Sequence, residues 1–385
     1  MSKKSKVTPW EVEIKDENDY ERLIELFGVS KIDDNLLEKI KKHTNDLHIL
    51  LKRKFFYAHR DFDKVLDSFE KGEKFFLYTG RAPSGKMHIG HLIPFILTKW
   101  LQEKFDANVY IQLPDEEKFW AKKVNDYEKI KELAYYEAKI IASLGFDPNK
   151  TFIFINSEYI KNLYSAAIYV ARNINFSTAK AVFGFTGETT IGLIFYVSLQ
   201  IVPTFFENSY PVIPCGIDQD PYFRLQRDIA EKLGYKKAST ILSKFVWGLK
   251  GPYTKMSASD PSTTILIDDD FETIKQKIMK YAFSGGQPTL ELHKKLGGNP
   301  DIDVCFFWLR VLFEENDKKL KELEERYRNG TLTTGELKEY TALKINEFLE
   351  KIRKNMKWAE NNLHKFMYDG KLASKMWNWK FEPKV

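Results

Sequence analysis

Across the middle of the chain, short compact apolar runs alternate with longer stretches in which apolar residues recur every three to four positions. Five runs read as buried strands: 74–79 (KFFLYT), 108–113 (NVYIQL), 151–155 (TFIFI), 211–215 (PVIPC) and 264–267 (TILI). Between them, 127–144 gathers Ile130, Leu133, Ala134, Ala138, Ile141 and Ala142 on one side, and 222–233 forms another helix after Pro221. Short buried strands separated by helices predict a parallel sheet covered on both faces. Such sheets place ligands outside the C-terminal ends of their strands.

The flanks differ. Residues 11–71 read as short helices with charged faces, including DNLLEKIKKHTNDLHILLKRKFF and DFDKVLDSFEKG. Beyond Asp270, stretches 271–283, 303–314, 318–328, 336–357 and 363–368 read as helices, broken by SGG at 284–286, GG at 297–298 and the turn at 330–335. The expected organisation is therefore a helical N-terminal extension (1–71), an α/β domain (72–275) and a helical C-terminal domain (276–385), with no internal repeat.

Composition narrows the class. The 385 residues are 43% hydrophobic and 30% charged, as in an ordinary globular protein with room for two or three domains. Two cysteines, Cys215 and Cys305, supply neither a disulfide framework nor a cysteine-ligated zinc site, so a reducing, cytoplasmic setting without structural zinc is expected. No run reaches the roughly 20 apolar residues that span a bilayer, and no membrane partner is expected. A net charge of +6 names no partner, but residues 351–385 carry nine Lys or Arg against three Asp or Glu, and MSKKSK adds a basic start. Both stretches suit either a solvated surface or contact with phosphates.

Two stretches carry chemistry. In YTGRAPSGKMHIGH (78–91), Gly80 and Gly85 permit tight backbone geometry and Pro83 fixes the turn between them. A helix beginning at His88 puts His88 and His91 on one side of its first turn, where unpaired backbone N–H groups already favour anions. Phosphate chemistry fits this spacing; a metal pair or two surface histidines fit it too. In YTKMSASD (253–260), Lys255 stands among small hydroxyl residues, Ser257 and Ser259, between Gly251 and Pro261. A mobile loop with one ammonium can close on a triphosphate, although a lone loop lysine more often faces solvent.

Together the stretches resemble the class I aminoacyl-tRNA synthetases: HIGH stands at 88–91, and KMSAS at 255–259 is a form of the family's KMSKS loop. YTGRAPSG, HIGHLIPF, KWLQ, IQLPDEEKFW, KTFIF, FGFTG, IPCGIDQDPYFR, TKMSASDP, AFSGG and GGN narrow the likeness to the eukaryotic and archaeal type of tryptophanyl-tRNA synthetase, densely over 72–345. The resemblance implies a Rossmann-like parallel-sheet catalytic domain and a helical anticodon-binding domain. It further implies ATP with Mg2+ carried on it, L-tryptophan, tRNA(Trp) and a homodimer, with no DNA partner.

By the same resemblance, His88, His91, Lys255, Ser257 and Ser259 stabilise the transferring phosphoryl group. Thr79, Gly80, Arg81, Ala82, Gly90, Gly216, Asp218 and Met256 lie along the nucleotide, with Gly216, Asp218 and Gln219 near the ribose or the amino acid. Tyr78, Gln112, Glu117, Gln200, Gln219 and Phe223 line the tryptophan site, where Glu117 helps hold the α-ammonium. Two positions depart from the generic pattern: Ala258 replaces the loop's second lysine, and Ala82 stands where glycine is common. Read without the resemblance, Tyr78 and Phe223 are core aromatics and Glu117 belongs to a charged surface run, DEEK. The rival readings are a tyrosine-specific enzyme of the same fold and an RNA-binding protein that has lost catalysis; intact His88, His91 and Lys255 count against the second.

Overall fold

The computed structural model describes residues 14–383 and the backbone of a two-stranded ribbon, Val7–Thr8 and Glu11–Val12. The basic stretch MSKKSK lies outside the described residues. At the centre is a seven-stranded sheet of β1 (Ser30–Lys31), β2 (Phe56–Arg60), β3 (Phe75–Gly80), β4 (Val109–Leu113), β5 (Thr151–Ile155), β6 (Tyr210–Gly216) and β7 (Ser239–Ser243). Its order is β1-β2-β7-β6-β3-β4-β5. The last five are parallel to one another, and β1 and β2 add an antiparallel edge.

Successive residues of the parallel strands enter opposite cores. Leu77, Val109, Ile111, Ile153, Val212 and Ile241 belong to one, whereas Phe76, Tyr78, Tyr110, Phe152, Ile213 and Leu242 belong to the other. Burial on both faces is why these strands read as unbroken apolar runs. Helices α4 (Leu92–Phe105), α5 (Tyr127–Ser143), α6 (Asn156–Asn173), α7 (Ile191–Ile201) and α8 (Asp220–Ala230) make the crossovers.

Residues 11–71 hold the expected helices, α1 (Glu17–Phe27), α2 (Asp34–Thr44) and α3 (Phe62–Glu70), but they also contribute β1 and β2. His59 and Arg60 hide the strand pattern of FYAHR; β2 pairs with β7, and Arg60 reaches fully buried Asp220 at 2.6 Å. Strand β7 escapes a hydrophobic reading because Ser239, Thr240 and Ser243 interrupt Ile241 and Leu242. The stretch 264–267 forms no strand. Leu266 makes one antiparallel bridge to His88, and the Asp269 carboxylate turns the chain by accepting the Leu266 N–H at 2.8 Å.

Beyond Asp270 the elements are helical, chiefly α9 (Phe271–Tyr281), α10 (Asp317–Arg328) and the 31-residue α11 (Thr334–His364). The first core runs without a break into this region through Phe306, Trp308, Leu337 and Ile345. Trp308 Nε1 donates to the Trp247 carbonyl at 2.8 Å, and Trp247 stacks on Phe307 with centroids 3.9 Å apart. After α11 the chain crosses to the opposite face. There Leu372, Ala373 and Met376 of α12 (Lys371–Trp377), with Phe381, join the second core. Tyr159 of α6 donates its hydroxyl to the Met376 carbonyl at 2.6 Å, and Phe381 stacks on Tyr235.

Candidate active site

From β3 the chain moves to β4 and β5 on one side, and β6 and β7 are laid on the other, so a crevice opens at the C-terminal ends of β3 and β6. Two adjoining cavities, of 440 and 340 Å³, occupy it and share Gly80, Arg81, His91, Pro94, Gly216 and Asp218. Gly80 is required where β3 ends: a Cβ there would lie 2.5 Å from the Gln112 carbonyl, which accepts the Arg81 N–H at 3.0 Å. The Arg81 guanidinium turns into the protein to pair with Glu137, a fully buried carboxylate of α5.

The larger cavity contains all six residues expected around the amino acid: Tyr78, Gln112, Glu117, Gln200, Gln219 and Phe223. Thr79 and Ala82 also line it. The phenol of Tyr78 meets Phe223 edge to face, with centroids 6.0 Å apart. The DEEK run is not a charged surface: Asp115, Glu116 and Glu117 are all buried. Glu117 is ion-paired with Lys118 at 2.8 Å, while neither of its oxygens accepts a hydrogen bond from the protein. A buried carboxylate in that condition has capacity for a further cationic donor. Burial also raises Asp218 above the usual carboxylate range, against hydrogen bonding from Gln219 and the fields of Lys255 and Lys118.

His88, Gly90, Lys255 and Met256 line the smaller cavity. The histidines do not stand at the first turn of an α-helix; His88 caps a 3-10 turn, Ile89–His91, that runs into α4. Their rings stack, with centroids 3.5 Å apart, and the His88 backbone N–H donates to His91 Nδ1 at 3.2 Å. With Nδ1 accepting, the His91 ring proton resides on Nε2. Burial, helped by Arg81, drives His88 down to about 3 and His91 well below its ordinary value. Both imidazoles are therefore neutral near pH 7 and can offer N–H groups without carrying charge.

Lys255 Nζ lies 5.8 Å from the centre of the Phe245 ring. Its backbone is bridged to Trp247. Ser257 and Ser259 line neither cavity; their hydroxyls bond each other at 2.8 Å, and the Ser257 N–H is held by Thr263. Sequence reasoning passed over Tyr196, Tyr222 and Lys118, which also line the larger cavity. Tyr196 hydrogen-bonds Gln200 one helical turn away, so its i, i+4 spacing on α7 was the available signal.

The family model for class I tRNA synthetases of the W and Y type matches residues 70–350. A tryptophan–tRNA ligase of Saccharolobus solfataricus is 54% identical over 371 residues, covering 96% of this chain and 97% of that protein. Another, from Pyrococcus abyssi, is also 54% identical and covers 97% and 96% respectively. Among solved structures, tryptophanyl-tRNA synthetase from Giardia lamblia superposes with a TM-score of 0.86 at 35% identity, covering 94% of this chain and 99% of that one. The chain belongs to the class I tRNA synthetases for tryptophan and tyrosine.

Proposed function

We propose that the two cavities divide the substrates of one reaction, the larger taking the amino acid and the smaller the nucleotide. The chain is an ATP-dependent tryptophan–tRNA ligase: it activates L-tryptophan to tryptophanyl-adenylate, releasing pyrophosphate, and transfers the amino acid to tRNA(Trp). The observation carrying the division of sites is that buried, unsaturated Glu117 and the His88, His91 and Lys255 cluster face adjoining parts of one crevice.

In this reading Glu117 receives the α-ammonium, and Tyr78 and Phe223 flank the indole. The carboxylate is left to attack the α-phosphorus in line, while Gly80, Arg81, Ala82, Gly90, Gly216, Asp218 and Met256 lie along the nucleotide. His88 and His91 donate neutral N–H groups, and the Lys255 ammonium follows charge onto the departing pyrophosphate. Ser257 and Ser259 join only when their loop moves, since the structure holds them outside the cavities. Mg2+ carried on the ATP phosphates would neutralise part of their charge.

Residues 276–385 serve as the anticodon-binding domain, supported by their helical build and basic end. Homodimer formation is supported by an exposed apolar stripe on α6, with Ile160, Tyr164 and Ile168 one turn apart, and by exposed Phe176 and Ile191. Two buried, unpaired cysteines suit the cytoplasm, and no helix among the described residues is long and apolar enough to cross a membrane.

Tryptophan-dependent ATP–pyrophosphate exchange is the test. Wild type exchanges with tryptophan and not with tyrosine, and Glu117→Ala raises the tryptophan KM. Exchange driven by tyrosine would overturn the tryptophan reading, and an unchanged KM would remove Glu117 from the site.

A further inference from the structure

A buried chain of side-chain amides and carboxyls runs away from the tryptophan slot, and none of its distant members touches either cavity. It begins at Tyr78, whose hydroxyl donates to Gln112 Oε1 at 2.5 Å, with the Gln200 carbonyl a longer alternative at 3.0 Å. Gln112 Nε2 then donates to Asn156 Oδ1 at 2.9 Å and to the Leu199 carbonyl at 3.1 Å. Asn156 Nδ2 donates in turn to Glu116 Oε1 at 2.6 Å. Asn156 is fully buried and Glu116 is 7% exposed.

An amide side chain can ordinarily be turned end for end, so its orientation must come from partners that cannot turn. Here one such partner is the Leu199 backbone carbonyl, which can only accept. It requires Gln112 to present Nε2, and that forces Asn156 to face it with oxygen. Asn156 must then aim its own N–H pair at Glu116, whose carboxyl oxygen accepts. Every donor points the same way, so each bond polarises the next.

The consequence falls at the slot. Both Gln112 amide protons are taken by Asn156 and Leu199, and the Tyr78 proton is taken by Gln112. What these two side chains still offer toward the ligand is lone pairs, on Tyr78 Oη and Gln112 Oε1. A flat aromatic with a ring N–H finds an acceptor there; an isostere without that proton leaves buried acceptors unsatisfied.

We propose that Asn156 and Glu116 are positioning residues for substrate selection: through Gln112 they hold the Tyr78–Gln112 edge of the slot in an acceptor-only state that selects a ring N–H. The proposal rests on the assignment of the larger cavity to tryptophan. Burial pushes Glu116 up to about 8, with Asp115 adding to the rise and the Asn156 hydrogen bond opposing it. Protonated or not, Glu116 keeps a lone pair on Oε1 for Asn156, consistent with a positional rather than a proton-transfer role.

The test compares pyrophosphate exchange with L-tryptophan and with β-(3-benzothienyl)-L-alanine, in which sulfur replaces the ring N–H at nearly constant shape. Wild type is expected to prefer tryptophan in kcat/KM by about 100-fold or more. Asn156→Ala and Glu116→Met should each shrink that preference at least tenfold, mainly by raising the tryptophan KM. Glu116→Gln, which still offers an oxygen to Asn156, should retain the wild-type ratio. Thermal melts identify any variant that fails to fold, and the ratio is read on those that do. If the two substrates lose activity in parallel, so that the ratio is unchanged in folded Asn156→Ala and Glu116→Met, the relay is merely structural and the proposal falls. Failure of the tryptophan reading would look different, as wild type itself would show no tryptophan-dependent exchange.

Discussion

At the scale of single residues, the chemistry is decided by which charges the fold leaves unspent. Arg81 points at the crevice in sequence, yet its guanidinium is occupied by Glu137; Lys255 lines the smaller cavity beside the Phe245 ring. On the proposed role of its charge as the pyrophosphate leaves, Lys255→Ala should lower kcat for exchange by about 100-fold or more while changing tryptophan affinity severalfold at most. Equilibrium dialysis of tryptophan beside exchange kinetics separates the two effects. His88 makes a second prediction. Its folded-state pKa lies below the ordinary 6.5, so the unfolded chain binds the proton first as pH falls. Stability is complete above about pH 6.5 and is lost toward about pH 3 by up to about 1.4 kcal/mol per pH unit for this one ring. Urea unfolding at pH 7.5, 6 and 5 should show the decline, and His88→Asn should make it shallower, leaving the part contributed by His91, His48 and His59, whose buried rings are depressed in the same way.

At the scale of elements, β3 to β6 were legible because a parallel strand buried on both faces leaves an uninterrupted apolar signature. The antiparallel edge and its neighbour β7 were not: β2 carries His59 and Arg60, the second satisfied by Asp220 far along the chain, and β7 mixes serine and threonine into its core. The site divided similarly. Motifs named Tyr78, Gln112, Glu117, His88 and Lys255, which the structure places in the lining of the crevice, whereas the DEEK run could be recognised as buried only in three dimensions. Periodicity also started α11 late, because Thr333 and Glu336 begin it with reciprocal hydrogen bonds before the apolar face does, and ended it at 357 although the helix continues to His364. Thr333→Ala should cost about 1 kcal/mol of stability without altering pyrophosphate exchange, as denaturant melts and the exchange assay will show.

For the whole molecule, the two cores are closed by different parts of the chain. The first continues into the helical region, while the second is completed by Leu372, Ala373, Met376 and Phe381. Removing residues 370–385 deletes two large buried side chains of α12 besides Phe381, each worth about 2–5 kcal/mol. The shortened protein should melt well below the full chain and bind a hydrophobic dye through the bared Phe152 and Tyr159 surface. Synthesis proceeds from the N-terminus, so these closing residues leave the ribosome after every motif of the active centre. Maturation of the enzyme is thereby tied to the arrival of α12: a polypeptide stalled before residue 370 carries every motif of the active centre and still lacks the clasp that seals its back.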